Sequence, residues 1–201
     1  PGAKPLSPSR AEKMGGCPLR YFLSELLGIE PPEEVTGKIR EWWLDPMQFG
    51  SLLHEILAAF TGRIMESGEA PALERHLPLM EEIVGKRLDA WRKDYPPPSE
   101  DLFHVQERRI LKGARRFLRE EEELSASRAP VAVELPVGME SRGGTGGHPD
   151  PVPVGLPGGK VIRVRGRIDR VDRRIDDDAL LLTDFKSGQA SRFRYLSLIH
   201  I

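Results

Sequence analysis

The chain has 201 residues, 39% of them hydrophobic and 30% charged, which is the composition of a globular domain with its own core. The formal net charge is −1, so the chain is not a general polycation, and any contact with nucleic acid must come from a local basic patch. The sequence shows no signal peptide and no run of about 18 apolar residues, so no membrane span is predicted. The single cysteine, Cys17, excludes an internal disulfide framework and favours a reducing cytoplasm.

Helical patterns dominate the first half of the chain. Ser9 followed by Glu12 is the pattern of a capping box and predicts a helix start at Ser9. Apolar residues at three- and four-residue spacing predict four further helices. The predicted helices cover about 9–15, 18–27, 50–66, 73–93 and 100–124. The second helix is predicted to bury Leu19, Phe22, Leu23, Leu26 and Leu27. The acidic run 120–123 at the end of the last helix is expected to be solvated.

The pattern changes to β-strands near residue 129. A first strand is predicted over Ala129–Val137, followed by a Gly- and Pro-rich stretch, 138–159, that is expected to be a long, flexible loop. Lys160–Arg174 alternates as a strand, and after a turn a last strand covers Ala179–Lys186. Helices therefore come first and a sheet follows, which predicts an α/β fold with the segregated order of an α+β protein.

The predicted hairpin formed by the last two strands carries the residues most typical of chemistry. Asp169 and Asp184 supply carboxylates, and Lys186 lies two residues after Asp184, on the same strand face. Carboxylates are the ligands that Mg²⁺ prefers, and Mg²⁺ promotes the hydrolysis of phosphodiesters. Glu134, on the preceding strand, is a candidate third acid. The alternative is that Asp184 and Lys186 form a surface ion pair with no further role.

A row of arginines leads to Asp169 along its strand. Arg163, Arg165 and Arg167 alternate with apolar residues and are predicted to share one strand face with Asp169. The segment 160–174 holds seven basic and two acidic residues, a balance that suits contact with a phosphate backbone. The other interpretation, a solvated face that balances nearby acids, stays open.

Five short stretches together resemble the PD-(D/E)XK nucleases, in particular the RecB-like branch. The core of the resemblance is Gly-Arg-Ile-Asp-Arg-Val-Asp at 166–172 followed by Thr-Asp-Phe-Lys-Ser-Gly at 183–188. Upstream, the stretches 6–9 and 17–22 resemble the start of the nuclease domain in AddB-type subunits of helicase-nucleases. Gly-Ser-Leu-Leu-His at 50–54 resembles the helix that supplies a histidine to that active site. Each motif alone is weak, and their order is what makes the resemblance specific.

The resemblance implies a fold and a set of roles. The fold would be a mixed sheet of the restriction-endonuclease-like type flanked by helices, and the activity Mg²⁺- or Mn²⁺-dependent cleavage of DNA. The implied biological role is that of an exonuclease in an ATP-dependent helicase-nuclease complex for recombinational double-strand-break repair, with a second subunit as partner. His54, Asp169 and Asp184 would bind the metal, Lys186 would support catalysis, and Glu134 matches the family's upstream acid. Outside the resemblance, His54 would be read as a helix-surface histidine.

The sequence also departs from the family pattern near its end. The family continues into a helix with Gln-x-x-x-Tyr, which is not found here, so we expect an incomplete nuclease domain over 1–190. The tail 191–201 matches no expected continuation, and a non-native origin is one interpretation of it. In AddB-type nucleases three further cysteines join the early one around a [4Fe–4S] cluster. Cys17 is then either an orphaned cluster ligand or an ordinary buried cysteine.

Two other functions stay open beside the helicase-nuclease. The first is a nuclease-like module that binds DNA or a partner subunit without cutting, and metal binding would distinguish it from an enzyme. The second is a stand-alone exonuclease of the CRISPR-associated type, which the length of the parent chain would decide.

Overall fold

A computed structural model describes residues 5–29, 42–140 and 146–185. Lys186 and the predicted tail 191–201 lie outside the described residues. The chain forms two compact units, of which the first takes in the described residues of 1–38 and 135–168. The second takes in those of 39–134 and 169–201.

The helices precede the strands, as the sequence predicts, and the predicted α/β fold class is confirmed. The helices are α1 (Pro8–Gly16), α2 (Pro18–Tyr21), a π-helical turn (Phe22–Leu26), α3 (Pro46–Ser67), α4 (Leu73–Asp94) and α5 (Glu100–Leu124). The strands are β1 (Arg128–Val137), β2 (Val152–Gly155), β3 (Val161–Val164), β4 (Gly166–Arg174) and β5 (Leu180–Thr183). Among the described residues, no helix combines the length and apolar character needed to cross a membrane.

Helix α3 begins earlier than the predicted Gly50 because of its capping residues. Asp45 is the N-cap, its side chain accepts from two backbone N–H groups, and Gln48 completes the capping box by bonding back to Asp45. Pro46 takes the first helical position, where its missing N–H costs nothing. The extra turn anchors the helix that carries His54. The bounds of α4 and α5 agree with the prediction to within one residue.

The second unit holds the main hydrophobic core. Helices α3, α4 and α5 each turn one apolar face inward, as their three- and four-residue spacing predicts. A buried glutamine, Gln106, ties this core to the entry of α3, because its side-chain amide bonds both the N–H (2.7 Å) and the C=O (3.0 Å) of Leu44. The core residues include Trp43, Leu52, Ile56, Phe60, Met80, Val84, Ile110 and Leu118.

Two predictions about the first unit are wrong. The N-cap of α1 is Ser7 rather than Ser9, because the Ser7 hydroxyl accepts from Arg10 N–H and Pro8 takes the first helical position. The predicted buried face of 18–27 is exposed, with Leu19 at 65% and Leu26 at 63% exposure. Apolar periodicity reports that a helix has a face that can be buried, but it carries no information about what covers that face.

The predicted strand 160–174 divides into two strands that belong to different sheets. β3 pairs with β2 in a two-stranded antiparallel sheet, whereas β4 lies between β1 and β5 in a three-stranded sheet. The division falls at Arg165, whose N–H bonds the C=O of Leu6 instead of a neighbouring strand. The pairing also corrects the predicted loop 138–159, because its residues 152–155 form β2 against β3. The Gly- and Pro-rich composition of the stretch concealed this short edge strand.

Candidate metal centre

His54 enters the candidate site from the third turn of α3. Its neighbours Leu52 and Ile56 are fully buried on the core face, whereas the His54 side chain is 28% exposed at the edge of that face. Two contacts orient the imidazole: Nε2 lies 2.5 Å from the backbone oxygen of Phe185, and Nδ1 lies 3.4 Å from Oδ2 of Asp169. The interpretation of His54 as an ordinary helix-surface histidine therefore does not describe its surroundings.

The contact with Phe185 determines which nitrogen of His54 is available. A carbonyl oxygen can only accept, so Nε2 must carry the hydrogen that it donates to Phe185. In the neutral ring, Nδ1 then presents a bare lone pair toward the carboxylate of Asp169. Two acceptors that face each other require a cation between or beside them, either a proton on Nδ1 or a metal ion. A histidine that donates its second N–H to a backbone carbonyl is the usual arrangement of a metal ligand.

Asp169 lies at the centre of the site on β4. Its Oδ2 accepts the backbone N–H of Phe185 at 2.8 Å, and its side chain is 14% exposed. Burial raises the pKa of Asp169, and the carboxyl group of Asp184 raises it further. The N–H of Phe185 and the His54 ring oppose this shift and lower the pKa. The site thus gathers negative charge where burial disfavours it, as is typical of a site that binds a cation.

Glu134 completes a compact set of three ligands with His54 and Asp169. One ligand atom from each residue lies within 4.8 Å of the other two, and all three side chains are partly buried. The backbone at Glu134 has a φ of 50°, in the left-handed region that side-chain-bearing residues rarely adopt. Such an irregularity in a strand re-aims a side chain, and it commonly lies next to an active site.

The left-handed backbone at Glu134 explains how β1 can place Arg128 next to Asp172 and Glu134 next to Asp169, which lie on opposite faces of β4. Arg128, six residues before Glu134 on β1, forms an ion pair with Asp172, which lies three residues after Asp169 on β4. Regular alternation would turn Glu134 to the same face as Arg128 and away from Asp169. Half-buried and exposed side chains alternate along β1 up to Ala132 and not beyond. The side chains therefore change faces near Glu134, where the backbone is left-handed.

Apart from Cys17, the remaining predicted site residues fall into three groups. Asp184 is exposed and lies close enough to hydrogen-bond Asp169, although it is not part of the compact ligand set. Lys186 lies outside the described residues. Arg163, Arg165 and Arg167 are exposed in the first unit, and the break at Arg165 interrupts the strand alternation on which their shared face was predicted.

Phe185 is a site residue that sequence reasoning missed. Its N–H donates to Asp169 and its C=O accepts from His54. Phe185, the residue directly after Asp184, therefore holds two of the candidate ligands in place. Its ring is buried and packs edge-on against His54 and Phe117, with centroids 5.8 and 5.9 Å away. Its position between Asp184 and Lys186 was the one sequence signal that could have indicated it. Its contact with His54, however, depends on α3, which lies far away in sequence.

The donor set fits a hard divalent cation. Two carboxylates and one imidazole offer two oxygens and a nitrogen, and Asp184 stands beside them. Cys17 gives a different result. It is exposed, and its Sγ caps α2 by accepting from Arg20 N–H at 3.5 Å, so the prediction of an ordinary buried cysteine is wrong. A [4Fe–4S] cluster takes four thiolates, and this sequence supplies one, so its own residues cannot hold a cluster.

Comparisons with known proteins point to one family. The family model described as the PD-(D/E)XK nuclease superfamily matches residues 5–196. A subunit of an ATP-dependent helicase/deoxyribonuclease from Symbiobacterium thermophilum is 31% identical over 195 residues, which cover 91% of this chain and 15% of the relative. The subunit of the same name from Pelotomaculum thermopropionicum is 32% identical over 190 residues, covering 92% of this chain and 15% of the relative. The chain therefore spans about 15% of the length of these curated relatives.

Proposed function

The chain belongs to the PD-(D/E)XK nuclease superfamily, and from this we propose that it is the DNA-cleaving part of a helicase-nuclease subunit. The proposed reaction is hydrolysis of phosphodiester bonds in DNA with Mg²⁺ or Mn²⁺. The observation that carries the proposal is the convergence of His54, Glu134 and Asp169, with Nδ1 of His54 3.4 Å from Oδ2 of Asp169.

In the proposed reaction, Nδ1 of His54 and the carboxylates of Glu134 and Asp169 would hold the cation. When bound, a divalent cation neutralises charge on the phosphate and lowers the pKa of the attacking water. Phe185 holds both the His54 ring and the Asp169 carboxylate in place through its backbone. Because these ligands are oriented before the cation arrives, little reorganisation is needed when it binds.

Asp184 and Lys186 have complementary proposed roles. Asp184 lies beside Asp169 and would share the cation with it or orient a bound water. Lys186, two residues later, would position the attacking water or stabilise the negative charge that develops on the phosphate. The exposed side chains of Arg163, Arg165 and Arg167 would contact the DNA backbone.

The biological setting is proposed from the relatives. Their names describe a subunit of an ATP-dependent helicase/deoxyribonuclease. By analogy, we propose that this chain works as an exonuclease beside a second subunit, in the repair of DNA double-strand breaks in the cytoplasm. The nucleotide-driven motor would lie elsewhere in the assembly, since this sequence contains no Gly-Lys-Ser or Gly-Lys-Thr phosphate-binding loop.

Metal binding and DNA cleavage test the proposal together. Mn²⁺ binding to the purified chain is measured by calorimetry. Cleavage of end-labelled linear DNA at increasing Mg²⁺ is followed with the longer parent protein, because the domain over 1–190 is expected to be incomplete. We expect Asp169→Asn and Lys186→Ala to lower the cleavage rate about 100-fold or more, the usual cost of removing a group that stabilises transition-state charge. Asp169→Asn should also lose Mn²⁺ binding, whereas Lys186→Ala should keep it.

Asp150→Asn is the matched control. Asp150 is exposed and follows Pro149, so it forms a literal Pro-Asp pair outside the proposed site. We expect this variant to bind Mn²⁺ and to cleave DNA like the unmodified chain. A chain that binds DNA but no divalent cation would contradict the nuclease proposal and would favour a module that binds without cutting.

A further inference from the structure

A buried network of four charged residues lies in the second unit, and the proposed chemistry makes no use of it. Nη2 of Arg170 bonds Glu121 at 2.6 Å, and Nε of Arg170 bonds Asp172 at 2.7 Å. Arg128 lies 3.5 Å from Glu121 and 3.6 Å from Asp172. Arg170 is 1% exposed and Asp172 is fully buried. Glu121 is buried as well, which corrects the expectation that the acidic run 120–123 is solvated.

The network has a member on each of two strands that carry candidate ligands. On β1, Arg128 belongs to the network and Glu134 to the site. On β4, Arg170 directly follows Asp169, and successive strand residues point to opposite faces.

The third strand, β5, is joined to the same network. The hydroxyl of Thr183 contacts Asp172 at 3.4 Å, and the next residue is Asp184. Glu134 and Asp169 therefore each share a strand with a residue of the network, and Asp184 directly follows a residue that contacts it. A shift of one strand against another would break network bonds and would separate the acids by the same movement.

The hydrogen bonds of this network are better suited to aligning the strands than to stabilising the fold. Nη1 of Arg170 and Nε of Arg128 are buried and have no hydrogen-bond partner among the described residues. Buried charges with unsatisfied donors stabilise a fold less than apolar side chains of similar volume. The planar guanidinium of Arg170 nevertheless reaches Glu121 on α5 and Asp172 on β4 through two different nitrogens, which fixes direction as well as distance.

We propose that Arg170 is a positioning residue for the metal site. Through Glu121, Asp172 and Arg128 it sets the relative register of β1, β4 and β5, and so holds Glu134, Asp169 and Asp184 at ligand spacing. The inference rests on the proposed metal-dependent nuclease function. It assigns to the network an effect on metal affinity that a role in folding alone would not produce.

The test compares Mn²⁺ affinity with fold stability in Arg170→Lys and Arg170→Met. A lysine keeps the positive charge but offers one ammonium in place of two separated donors. We expect both variants to bind Mn²⁺ about 10- to 100-fold more weakly, the usual effect of losing a residue that orients metal ligands. Half-maximal cleavage should need correspondingly more Mg²⁺. The KM for DNA should stay nearly unchanged, because a buried side chain does not contact DNA.

Arg174→Met is the matched control, since Arg174 lies on the same strand and pairs with Asp176 at the surface. It should keep the Mn²⁺ affinity of the unmodified chain. Where Arg170→Met does not fold, Arg170→Lys and Asp172→Asn provide the same comparison. An Arg170→Lys protein that melts at a lower temperature but binds Mn²⁺ with unchanged affinity overturns the positioning role. An unmodified chain that binds no Mn²⁺ refutes the proposed function instead, so the two failures are distinguishable.

Discussion

Replacing Asp169 by asparagine should change stability in opposite directions with and without metal. The asparagine side chain would keep the shape of the aspartate and an oxygen that can accept the N–H of Phe185, but it removes a charge. That charge is 14% exposed and lies beside Asp184, and burial disfavours it, as the raised pKa of Asp169 indicates. In a chelator, Asp169→Asn should therefore be more stable than the unmodified chain by about 0.5–2 kcal/mol, the range of single stabilising substitutions.

Metal reverses the order. At a free Mn²⁺ concentration of about 100 times its Kd, binding adds about 2.7 kcal/mol to the stability of the unmodified chain. The variant lacks a central ligand and should gain almost nothing. The unmodified chain should then be the more stable protein by roughly 1–2 kcal/mol, which follows from subtracting the gain of the substitution from the gain of binding.

Thermal and urea denaturation in chelator and in Mn²⁺ measure both effects. For a chain of this size, each kcal/mol moves Tm by about 2–4 °C, so both differences are measurable. The exposed Asp150→Asn control should follow the unmodified chain in both buffers. Equal stabilisation of Asp169→Asn by Mn²⁺ would refute the assignment of Asp169 as a ligand, and lower stability in chelator would refute the idea that its charge is strained.

Three further predictions follow from single residues. Glu134→Gly should be more stable than Glu134→Ala by about 1 kcal/mol in urea denaturation, because glycine adopts the φ of 50° without cost; equal stabilities would argue against a strained backbone. Gln106→Leu should lower the free energy of unfolding by about 2–4 kcal/mol, since the N–H and C=O of Leu44 both lose a buried partner; a loss under about 1 kcal/mol would contradict this. Lys13 and Arg10 form ion pairs with Glu25 and lower its pKa. The contribution of Glu25 to stability is therefore present above its ordinary pKa and disappears as pH falls through the lowered pKa. Glu25→Gln should thus destabilise the chain near neutral pH and not in acid, as a pH series of melting curves would show.

Features that depend only on neighbours along the chain can be predicted from local sequence. The bounds of α4 and α5 follow from apolar spacing and from Ser99, which caps α5 with its hydroxyl. The early start of α3 was equally local, because Asp45 and Gln48 form a capping box, yet the prediction began at Gly50 and missed it. The strand division at Arg165 could not be predicted in this way, since it depends on a bond to Leu6, which is distant in sequence.

The sequence by itself determined the chemistry available to this protein: an ordered set of His54, Glu134, Asp169, Asp184 and Lys186 on elements of predictable type. Only the tertiary structure decided which of the described residues meet. The hydrogen bond to the backbone of Phe185 turns Nδ1 of His54 to Asp169. The left-handed backbone of Glu134 itself, within β1, turns its side chain toward the site. The tertiary structure also joined Glu121 to Arg170 in the buried network. The physical reason is that side-chain type and period are local properties, whereas ligand distances depend on how α3, α5 and three strands pack together.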